Sequence, residues 1–340
     1  MNTPRPIEIV GGGLAGLALG LALRRADVPV TLFEAGSYPR HRVCGEFIAG
    51  LAHATIGRLG LDEILRDALH HREVAWFLGT NAPRHQILPT PALGLSRHTL
   101  DARLAAAFVD AGGTLLTHTR VADPTAHPGR VFCTGRQRGR TPWIGLKLHA
   151  RQLPLERDLE VHLGDDAYVG LSRIENDTVN VCGLFRRRAI AAPGAQLLLR
   201  YLEASGLREL AARLQAAAID AASFSAIAAL AFDRRTYATS RLQLGDACAM
   251  IPPFTGNGMA MAFQSAEAAL DPLLAYSRGR ATWGEARDET NRALRGRFRV
   301  RLASAHLLHP FLLAPQRQRW LARLNRARLL PFRTLYHVLH

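Results

Sequence analysis

The stretch Gly11-Gly12-Gly13-Leu14-Ala15-Gly16 follows a short apolar run, residues 7–10, and opens an Ala- and Leu-rich run that extends to Ala26. A second apolar run, residues 28–33, ends at Glu34. This order predicts a strand, a helix and a second strand parallel to the first, with the glycines in the turn between the first strand and the helix. Such a β-α-β unit is the core of a Rossmann-like fold.

The three spaced glycines of this stretch have separate structural tasks. Gly11 permits the tight turn, Gly13 leaves the backbone open to a pyrophosphate, and Gly16 permits close packing of the helix on the strand. The N–H groups and the positive dipole end of the helix then face the phosphates. Glu34, at the end of the second strand, can accept hydrogen bonds from the hydroxyls of a ribose. These features predict a dinucleotide site but do not distinguish NAD from FAD.

A second glycine-rich motif distinguishes the two dinucleotides. It spans residues 245–259, reads Gly-Asp-Ala-Cys-Ala-Met-Ile-Pro-Pro-Phe-Thr-Gly-Asn-Gly-Met, and lies between a short apolar run and a long helical pattern. Asp246 is placed to bind a ribityl hydroxyl. The amides of the loop 252–258 lead into the helix and can stabilise negative charge on a reduced flavin. The motif therefore predicts FAD.

The remaining patterns predict an α/β (α+β) protein with a Rossmann-like FAD-binding domain, an inserted antiparallel-sheet substrate domain and C-terminal helices. Residues 143–186 alternate and contain turn sequences, which is typical of several antiparallel strands. We expect helices over 46–58, 61–69, 99–111, 196–215 and 259–276. The expected boundaries are 1–75, 96–142 and 236–280 for the FAD-binding domain, 76–95 and 143–235 for the substrate domain, and 281–340 for the C-terminal helical region.

The chain is strongly basic. Its 340 residues carry a formal net charge of +15, and its single lysine is Lys147, so nearly all positive charge is arginine. The basic residues are spread along the chain and are denser only over 287–333. We interpret the charge first as solvated helix faces, second as attraction to an anionic substrate, carrier protein or membrane surface, and least as nucleic-acid binding. No nucleic-acid partner is therefore predicted.

The four cysteines and the hydropathy exclude several other classes. Cys44, Cys133, Cys182 and Cys248 are far apart and form no CxxC pair, so neither a disulfide framework nor a metal site is predicted. No apolar run approaches the roughly 20 residues that span a bilayer. The first residues lack the basic stretch and apolar core of a signal peptide. We expect a cytoplasmic protein, with a location peripheral to the membrane as the alternative.

With these motifs the chain resembles the FAD-dependent oxidoreductases of the p-hydroxybenzoate hydroxylase fold, the FAD-dependent monooxygenase superfamily. It is most similar to the branch of geranylgeranyl reductases, flavin halogenases and polyketide-tailoring oxidoreductases, over roughly residues 1–275. The first glycine motif and Glu34 match the family's ADP-binding fingerprint, and Gly245-Asp246 matches its Gly-Asp motif. Arg97 matches an arginine that contacts the cofactor near its phosphates in that family, and Asp101 would hold the Arg97 segment in place.

The segment 39–46, Pro-Arg-His-Arg-Val-Cys-Gly-Glu, resembles one that lies beside the isoalloxazine ring in geranylgeranyl-reductase-like proteins. The resemblance implies that Arg42 contacts FAD or an anionic substrate and that Glu46 supports the loop. Three roles stay open for Cys44: pocket lining without chemistry, substrate positioning or proton transfer, and simple packing. Lys147 is a candidate for an ionic or proton-transfer role, with a surface or edge-strand lysine as the alternative. The candidate catalytic residues are therefore Arg42, Cys44 and Lys147.

The candidate cofactor-binding residues come from all of these motifs and from the turn at Thr134-Gly135, which resembles a family turn close to the adenine half of FAD. They are Gly11, Gly13, Leu14, Ala15, Gly16, Glu34, Ala35, Arg42, Cys44, Arg97, Thr134, Gly135, Gly245, Asp246, Pro253, Gly256, Asn257, Gly258 and Met259.

The resemblance indicates the cofactor better than the reaction. We find neither the Asp-Gly motif that aromatic hydroxylases use with NAD(P)H, nor the tryptophan motif of flavin halogenases, nor the Tyr-x-Trp-x-Phe-Pro signature of archaeal geranylgeranyl reductases. The leading hypothesis is a monooxygenase that hydroxylates a hydrophobic aromatic or polyketide-like molecule in secondary metabolism. The alternatives are a C=C reductase or dehydrogenase of an isoprenoid or polyketide, with Cys44 as a candidate acid, and a flavin-binding protein without turnover.

Two further expectations concern partners. A second glycine fingerprint is not found, so NAD(P)H would dock transiently, or a separate reductase would supply electrons. Residues 317–340 mix apolar side chains with arginines and would either pack on the FAD domain or form a basic amphipathic surface for a carrier protein or membrane. Seven apolar side chains are expected first in the core and second as substrate contacts: Tyr168, Val169, Leu171, Val181, Phe185, Phe224 and Phe232.

Overall fold

The computed structural model of the protein describes residues 3–78, 82–122, 125–136, 139, 141–230, 232, 240–326, 329 and 331–339. Its strands are β1 (Ile7–Val10), β2 (Val30–Phe33), β3 (Phe47–Ile48), β4 (Leu69–Leu78), β5 (Arg84–Gly94), β6 (Thr114–Leu116), β7 (Arg130–Phe132), β8 (Trp143–Arg151), β9 (Leu159–Gly164), β10 (Ala167–Ile174), β11 (Thr178–Arg186), β12 (Ala218–Ala228) and β13 (Leu242–Gln243). Its helices are α1 (Leu14–Arg24), α2 (His53–Leu59), α3 (Asp62–Leu65), α4 (Arg97–Asp110), α5 (Gln196–Ala204), α6 (Arg208–Gln215), α7 (Gly258–Ser277), α8 (Trp283–Leu313), α9 (Pro315–Arg326) and α10 (Phe332–Leu339).

The first sheet is parallel and has the order β13-β7-β1-β2-β6. Ile9 of β1 lies opposite Leu32 on one side and Val131 on the other, and all three side chains are buried. Helix α1 is apolar on every side, and ten of its eleven residues are buried between this sheet and helices α4 and α7. The predicted Rossmann-like core is therefore confirmed.

The second sheet has eight strands in the order β12-β8-β11-β10-β9-β4-β5-β3. All neighbouring pairs are antiparallel except β4 and β9, which run parallel. The antiparallel strands predicted over 143–186 are present as β8 to β11. Because β4 begins at Leu69, residues 69–75, which we grouped with the FAD-binding segments, pair within this sheet. Residues 236–239 of the predicted FAD-binding domain lie outside the described residues.

Each sheet has its own apolar core. Helices α1, α4, α7 and α8 enclose the larger core on the parallel sheet. Helices α5 and α6 cover one face of the strands β8, β10 and β11. A third, smaller cluster joins the second sheet to the end of α8 around Tyr168 and Leu312. In the described part of the chain, the helices are all too short or too polar to cross a bilayer.

Three expected helices differ from the structure, and one strand was not anticipated. The helix expected over 61–69 is reduced to α3, because Leu69 already pairs with Gly94 in the second sheet. The helix expected over 46–58 begins only at His53, because Glu46 has φ of +57° and Phe47 pairs with Gly94 of β5. The helix expected over 196–215 is interrupted after Ala204, where Gly206 adopts φ of +77°. Strand β12 was not anticipated, since its sequence is rich in alanine and contains few β-branched residues.

Candidate functional site

A cleft lies at the carboxyl ends of the parallel strands, where α/β proteins of this type bind nucleotides. Five distant segments line it, each of them singled out in the sequence. The lining residues are Gly13, Leu14 and Ala15; Arg42, Val43, Cys44, Gly45 and Phe47; Arg97; Cys133 and Gly135; and Leu244, Gly245, Asp246, Met250, Ile251, Pro253, Gly256, Gly258, Met259 and Ala262.

Three glycines leave open space along the cleft. A β-carbon at Gly13, Gly135 or Gly258 would meet no other atom within 4 Å, so the backbone at each position is bare toward the cleft. Gly11 differs, because it has φ of +110° and a β-carbon there would overlap the carbonyl group of Cys133. Gly11 therefore shapes the turn, whereas Gly13 leaves room for a ligand, as the motif predicts.

Two helices begin at this cleft with free N–H groups. Helix α1 has Gly13 as its N-cap, which has no side chain to accept a hydrogen bond, and the side chain of Asn257, the N-cap of α7, accepts none from its helix. Neither helix carries an acidic residue in its first turn. The positive dipole ends of both helices are therefore available to a ligand, and the phosphates of a dinucleotide suit such a position.

Asp246 contributes a carboxylate without a partner. It borders the cleft and has no hydrogen-bond or ion-pair partner among the described residues. Water reaches the side chain through the cleft, but protein surrounds the carboxylate on the other sides, and this desolvation raises its pKa. A ligand hydroxyl that donates a hydrogen bond to Asp246 would offset the desolvation of its carboxylate. A ribityl hydroxyl, the contact expected from the sequence, is such a donor.

Arginines on the opposite wall carry positive charge. Arg97 binds both carboxylate oxygens of Asp101, at 2.7 and 2.8 Å, and Arg42 Nε lies 2.8 Å from the same carboxylate. The Asp101 side chain is fully buried, so it anchors both guanidinium groups, as expected for a residue that holds this segment. Arg42 Nη2 is buried and has no hydrogen-bond partner in the described chain. Two arginines against one aspartate leave an excess positive charge at the cleft, which suits an anionic ligand.

Glu34 makes contacts within the protein. Its carboxylate accepts hydrogen bonds from the N–H groups of Gly12 and Gly36, each at 2.8 Å, and pairs with Arg40 at 2.9 Å. Burial raises the pKa of this carboxyl, but these contacts outweigh burial and the net pKa is lowered. Glu34 does not line the cleft, and Ala35 beside it is exposed.

The other candidate cofactor residues lie around the cleft rather than on its surface. Gly11 and Gly16 lie behind the wall that α1 forms, and Thr134 is exposed just beyond β7. Asn257 is fully buried and donates a hydrogen bond of 2.6 Å from Nδ2 to the carbonyl oxygen of Leu339. Its side chain thus connects the cleft loop to the C-terminal helix.

Cys44 lines the cleft with a neutral thiol. Burial raises the pKa of the Cys44 thiol, and the nearby Arg97 only partly opposes this shift. The Glu46 N–H points at Cys44 Sγ from 3.5 Å. A thiol in this state can donate a proton and is a poor nucleophile at neutral pH.

Lys147 lies in a buried ionic cluster outside the cleft. It is in the interior strand β8, fully buried, with Nζ 3.3 Å from Glu46 Oε1 and 3.2 Å from His41 Nδ1. The second oxygen of Glu46, Oε2, lies 2.6 Å from His149 Nε2. The alternative of a surface or edge-strand lysine is therefore wrong. Lys147 supports the loop at Glu46 and does not line the cofactor cleft.

The second sheet also fixes the backbone of the cleft loop. Ser172 Oγ donates to the carbonyl oxygen of Gly45 at 2.7 Å, and Asn180 Nδ2 donates to that of Cys44 at 3.0 Å. His149, Ser172 and Asn180 were not predicted in this role, and only their polar character inside apolar strands could have indicated them. The two sheets thus meet at the loop 42–47.

An apolar cavity adjoins the cleft. Phe47 borders both spaces, and Phe254 of the glycine-rich loop borders the cavity. The walls come from the second sheet and the C-terminal helices: Val74, Trp76, Leu78, Gln86, Leu88, Leu159, Val161, Leu163, Leu171, Leu308, Phe311, Leu312, Leu321, Phe332, Leu335, Tyr336 and Leu339. Of the seven apolar side chains expected in the core or around the substrate, only Leu171 borders this cavity. The others belong to the core clusters or lie against them, because their faces of the strands point toward helices.

Comparison with known proteins agrees with this architecture. Residues 9–44 match the model of the NAD(P)-binding Rossmann-like domain. A segment of 130 residues is 29% identical to menaquinone reductase of Mycolicibacterium smegmatis and covers 37% of this chain and 32% of that protein.

Two solved structures extend the similarity to nearly the whole chain. PqsL, a probable FAD-dependent monooxygenase from Pseudomonas aeruginosa, superposes with a TM-score of 0.72 at 17% identity, over 93% of this chain and 98% of PqsL. A geranylgeranyl bacteriochlorophyll reductase-like protein from Thermoplasma acidophilum gives a TM-score of 0.71 at 16% identity, over 92% of this chain and 89% of that chain. The chain therefore has the fold of the FAD-dependent monooxygenases and geranylgeranyl reductase-like proteins.

Proposed function

We propose that this protein is an FAD-dependent oxidoreductase that acts on an apolar small molecule. The observation that carries the proposal is that two neighbouring spaces share Phe47 as a wall. One is a cleft with bare glycine backbone, two free helix N-termini and an unpaired carboxylate; the other is an apolar cavity. A dinucleotide suits the first space, and an apolar substrate suits the second.

The chain offers a separate group for each part of the cofactor. The start of α1 at Gly13 and Leu14 would bind the pyrophosphate, with Arg97 and Arg42 balancing its charge. Asp246 would accept a hydrogen bond from the ribityl chain. The loop from Pro253 to Gly258 and the thiol of Cys44 would face the isoalloxazine ring. Bound FAD supplies the redox chemistry, and the protein supplies orientation and exclusion of water.

The cofactor proposal has a direct test. We expect the purified protein to carry flavin absorbance, or to take up added FAD with one molecule bound per chain. Asp246→Ala should reduce the bound fraction because the ribityl contact is lost, whereas Asp166→Ala, at a turn of the second sheet, should not. A colourless protein that cannot be loaded with FAD would overturn the proposal and favour a protein without turnover.

For the reaction, the leading proposal is hydroxylation of an aromatic or polyketide-like substrate. The fold shared with PqsL and the apolar cavity support it. Candidate substrates would be incubated with the reduced protein under ¹⁸O₂. We expect one ¹⁸O atom in the product, and reduction of a double bond under nitrogen without oxygen incorporation would contradict hydroxylation.

A C=C reductase is the second candidate, and Cys44 is the observation that favours it. A neutral thiol at the cleft edge could protonate the carbon next to the one that receives hydride, and the curated relative is a menaquinone reductase. In that case Cys44→Ala should lower the rate of anaerobic product formation at least about tenfold, with flavin content unchanged. An unchanged rate would remove Cys44 as the acid.

The electron donor is proposed to be NAD(P)H or a separate reductase. Anaerobic addition of NADPH or NADH to the yellow protein should bleach the flavin absorbance if the nicotinamide docks directly. Bleaching only after a flavin reductase or ferredoxin is added would support a protein donor. The two outcomes separate the alternatives without knowledge of the substrate.

We propose two roles for the C-terminal helices: they form a wall of the apolar cavity, and they present a surface to a membrane or carrier protein. Leu335 and Leu339 face the apolar cavity, which supports packing as their first role. Leu307, Trp320 and Leu329 are exposed among arginines, which supports a second role in contact with a membrane or carrier protein. Sedimentation with anionic vesicles should recover the full chain, and a triple change of these residues to serine should abolish recovery.

A further inference from the structure

We propose that His41, His149 and Asp220 form a binding site for a divalent transition-metal ion. One ligand atom from each side chain lies within 4.8 Å of the other two. The cluster is on the far side of the loop 42–47 from the cofactor cleft, and its residues do not line that cleft. The proposal is therefore independent of FAD binding.

His149 is already oriented as a metal ligand. Its Nε2 lies 2.6 Å from Glu46 Oε2, and its backbone N–H donates to Ser223 Oγ at 2.7 Å. A carboxylate that holds one imidazole nitrogen leaves the other for a metal, and this is the usual arrangement around metal-bound histidines. Because Glu46 and His149 are both buried, Nδ1 of His149 has a fixed position.

The other two ligands can close around an ion. Zinc bonds to nitrogen and oxygen are roughly 2.0 to 2.2 Å long, so tetrahedral ligand atoms stand about 3.4 Å apart. The present spacing of up to 4.8 Å must shrink. His41 is half-buried and Asp220 is exposed, so both side chains can move toward His149. Asp220 Oδ1 accepts a hydrogen bond from Ala222 N–H at 3.1 Å, which leaves Oδ2 for the ion.

The backbone of β12 places Asp220 beside His149. Asp220 pairs with His149 across β12 and β8, and the register of β12 shifts between Asp220 and Ser225. Such a bulge turns side chains out of the regular sheet pattern. Lys147 Nζ lies 3.2 Å from Nδ1 of His41 and donates to it, which leaves the ring proton on Nε2, and Glu46 balances the lysine charge. To bind the ion, the half-buried His41 ring must turn away from Lys147 and present its Nδ1 lone pair, while Lys147 keeps its ion pair with Glu46.

A cavity that is open to solvent gives access to the cluster. His41, His149 and Asp220 line it together with His98 and Thr178. This opening gives the ion a path from solvent and leaves room for water as the fourth ligand, and three protein ligands with one water are typical of an open zinc site. Two imidazoles and one carboxylate suit Zn²⁺ and neighbouring transition metals, whereas Ca²⁺ and Mg²⁺ prefer oxygen ligands.

The ion would join three separate parts of the fold. His41 precedes Arg42 of the cleft loop, His149 belongs to β8, and Asp220 belongs to β12. A bound ion would therefore fix the start of the cleft loop to the second sheet. The proposal departs from the expectation of no metal site, which considered only cysteine spacing.

The test is calorimetric titration of Zn²⁺ into the full-length protein after removal of metals with a chelator. We expect one Zn²⁺ per chain in the wild type. His41→Ala and Asp220→Asn should each weaken binding by at least about tenfold, because each removes one of three protein ligands. Glu46→Gln should weaken binding by roughly 10- to 100-fold through the orientation of His149.

His98→Ala is the matched control. His98 stacks on His41 at 4.6 Å and lines the same cavity but is not in the cluster, so this variant should retain binding within about threefold of the wild type. Asp220→Asn keeps the hydrogen-bond acceptor for Ala222, so a folding defect is not expected. Absence of binding in the wild type, or wild-type affinity in both His41→Ala and Asp220→Asn, would overturn the proposal.

Discussion

Gly13 is one of three glycines whose bare backbone borders the cleft. Its φ of –89° and ψ of –173° are extended values that a valine adopts, and a β-carbon there meets no other atom within 4 Å. Gly13→Val should therefore fold normally but place methyl groups where the pyrophosphate would lie. We expect FAD affinity to fall at least about tenfold, measured by flavin absorbance per chain, with little change in the melting temperature of the apoprotein.

Gly57→Val is the matched control for this change. Gly57 lies on the exposed side of α2, and a β-carbon there would also meet no other atom within 4 Å. Both variants add the same side chain to open space, and only one position borders the cleft. Equal flavin content in Gly13→Val and in the control would show that the cofactor does not approach Gly13.

Gly11 should respond differently, although it belongs to the same motif. Its φ of +110° is unfavourable for an L side chain, and a β-carbon would overlap the carbonyl group of Cys133. Gly11→Ala should lower the free energy of unfolding by about 1–3 kcal/mol, since both backbone strain and a steric conflict are introduced. Denaturant unfolding of the apoprotein measures this effect, and unchanged stability would contradict the structural role of Gly11.

The contrast between the glycines and Lys147 shows which residues the sequence can indicate. The spacing of Gly11, Gly13 and Gly16 is local, and a local turn requires it wherever the motif occurs. The partners of Lys147 are Glu46 and His41, about one hundred positions away. Their meeting depends on how the two sheets pack, which no local pattern records.

Helix α10 encloses one end of the apolar cavity. Leu335 faces the cavity, whereas Val338 on the same helix is 38% exposed. Leu335→Arg would bring an unpaired charge to an apolar wall, at a cost of several kcal/mol or a displaced helix. We expect binding of the neutral apolar probe N-phenyl-1-naphthylamine to weaken at least about tenfold, measured by its fluorescence. Val338→Arg should leave probe binding unchanged, and equal loss in both variants would argue against α10 as a cavity wall.

Some helices and strands could be predicted from their own sequences, and others could not. Helix α1 has a continuous Ala- and Leu-rich sequence, and the strands β8 to β11 are separated by clear turn sequences, and both predictions were correct. Strand β12 contains few β-branched residues and is a strand because β8 offers it a free edge. Strand β3 has only two residues and depends on pairing with β5. These two strands are products of tertiary contact rather than of local preference.

At the scale of the whole molecule, the candidate site lies where the parallel sheet and the second sheet meet. The parallel sheet contributes the helix starts and Asp246, and the second sheet holds the loop 42–47 from behind through Ser172 and Asn180. The sequence indicated most of the cleft because four of its motifs are local. It did not indicate the apolar cavity, whose walls combine strands and C-terminal helices that are far apart along the chain.

The same packing buries histidines in both halves of the molecule, and this should make stability depend on pH. Burial lowers the pKa of His71 and of His309 to about 4, from an ordinary value of 6.5. Each histidine therefore binds a proton more readily in the unfolded chain, so the unfolded state gains protons as pH falls from 6.5 toward 4. The stabilisation is fully present above pH 6.5 and is lost across this window, by at most about 3 kcal/mol per histidine.

Denaturant unfolding at pH 7.5, 6.0 and 5.0 measures this loss. We expect the free energy of unfolding to fall steadily as pH falls, and to fall less in His71→Leu, in which one of the contributing histidines no longer titrates; burial also lowers the pKa of His41 and His162, which add to the trend. His53→Gln, at an exposed position, should follow the wild type. The pKa values of Glu160 and Glu175 are lowered from the ordinary value of 4.5. These two carboxylates therefore add to the loss of stability only near and below pH 4.5. They do not account for a loss of stability between pH 7.5 and 6.0. A free energy of unfolding that is constant over that interval would show that His71 and His309 are not held neutral by burial.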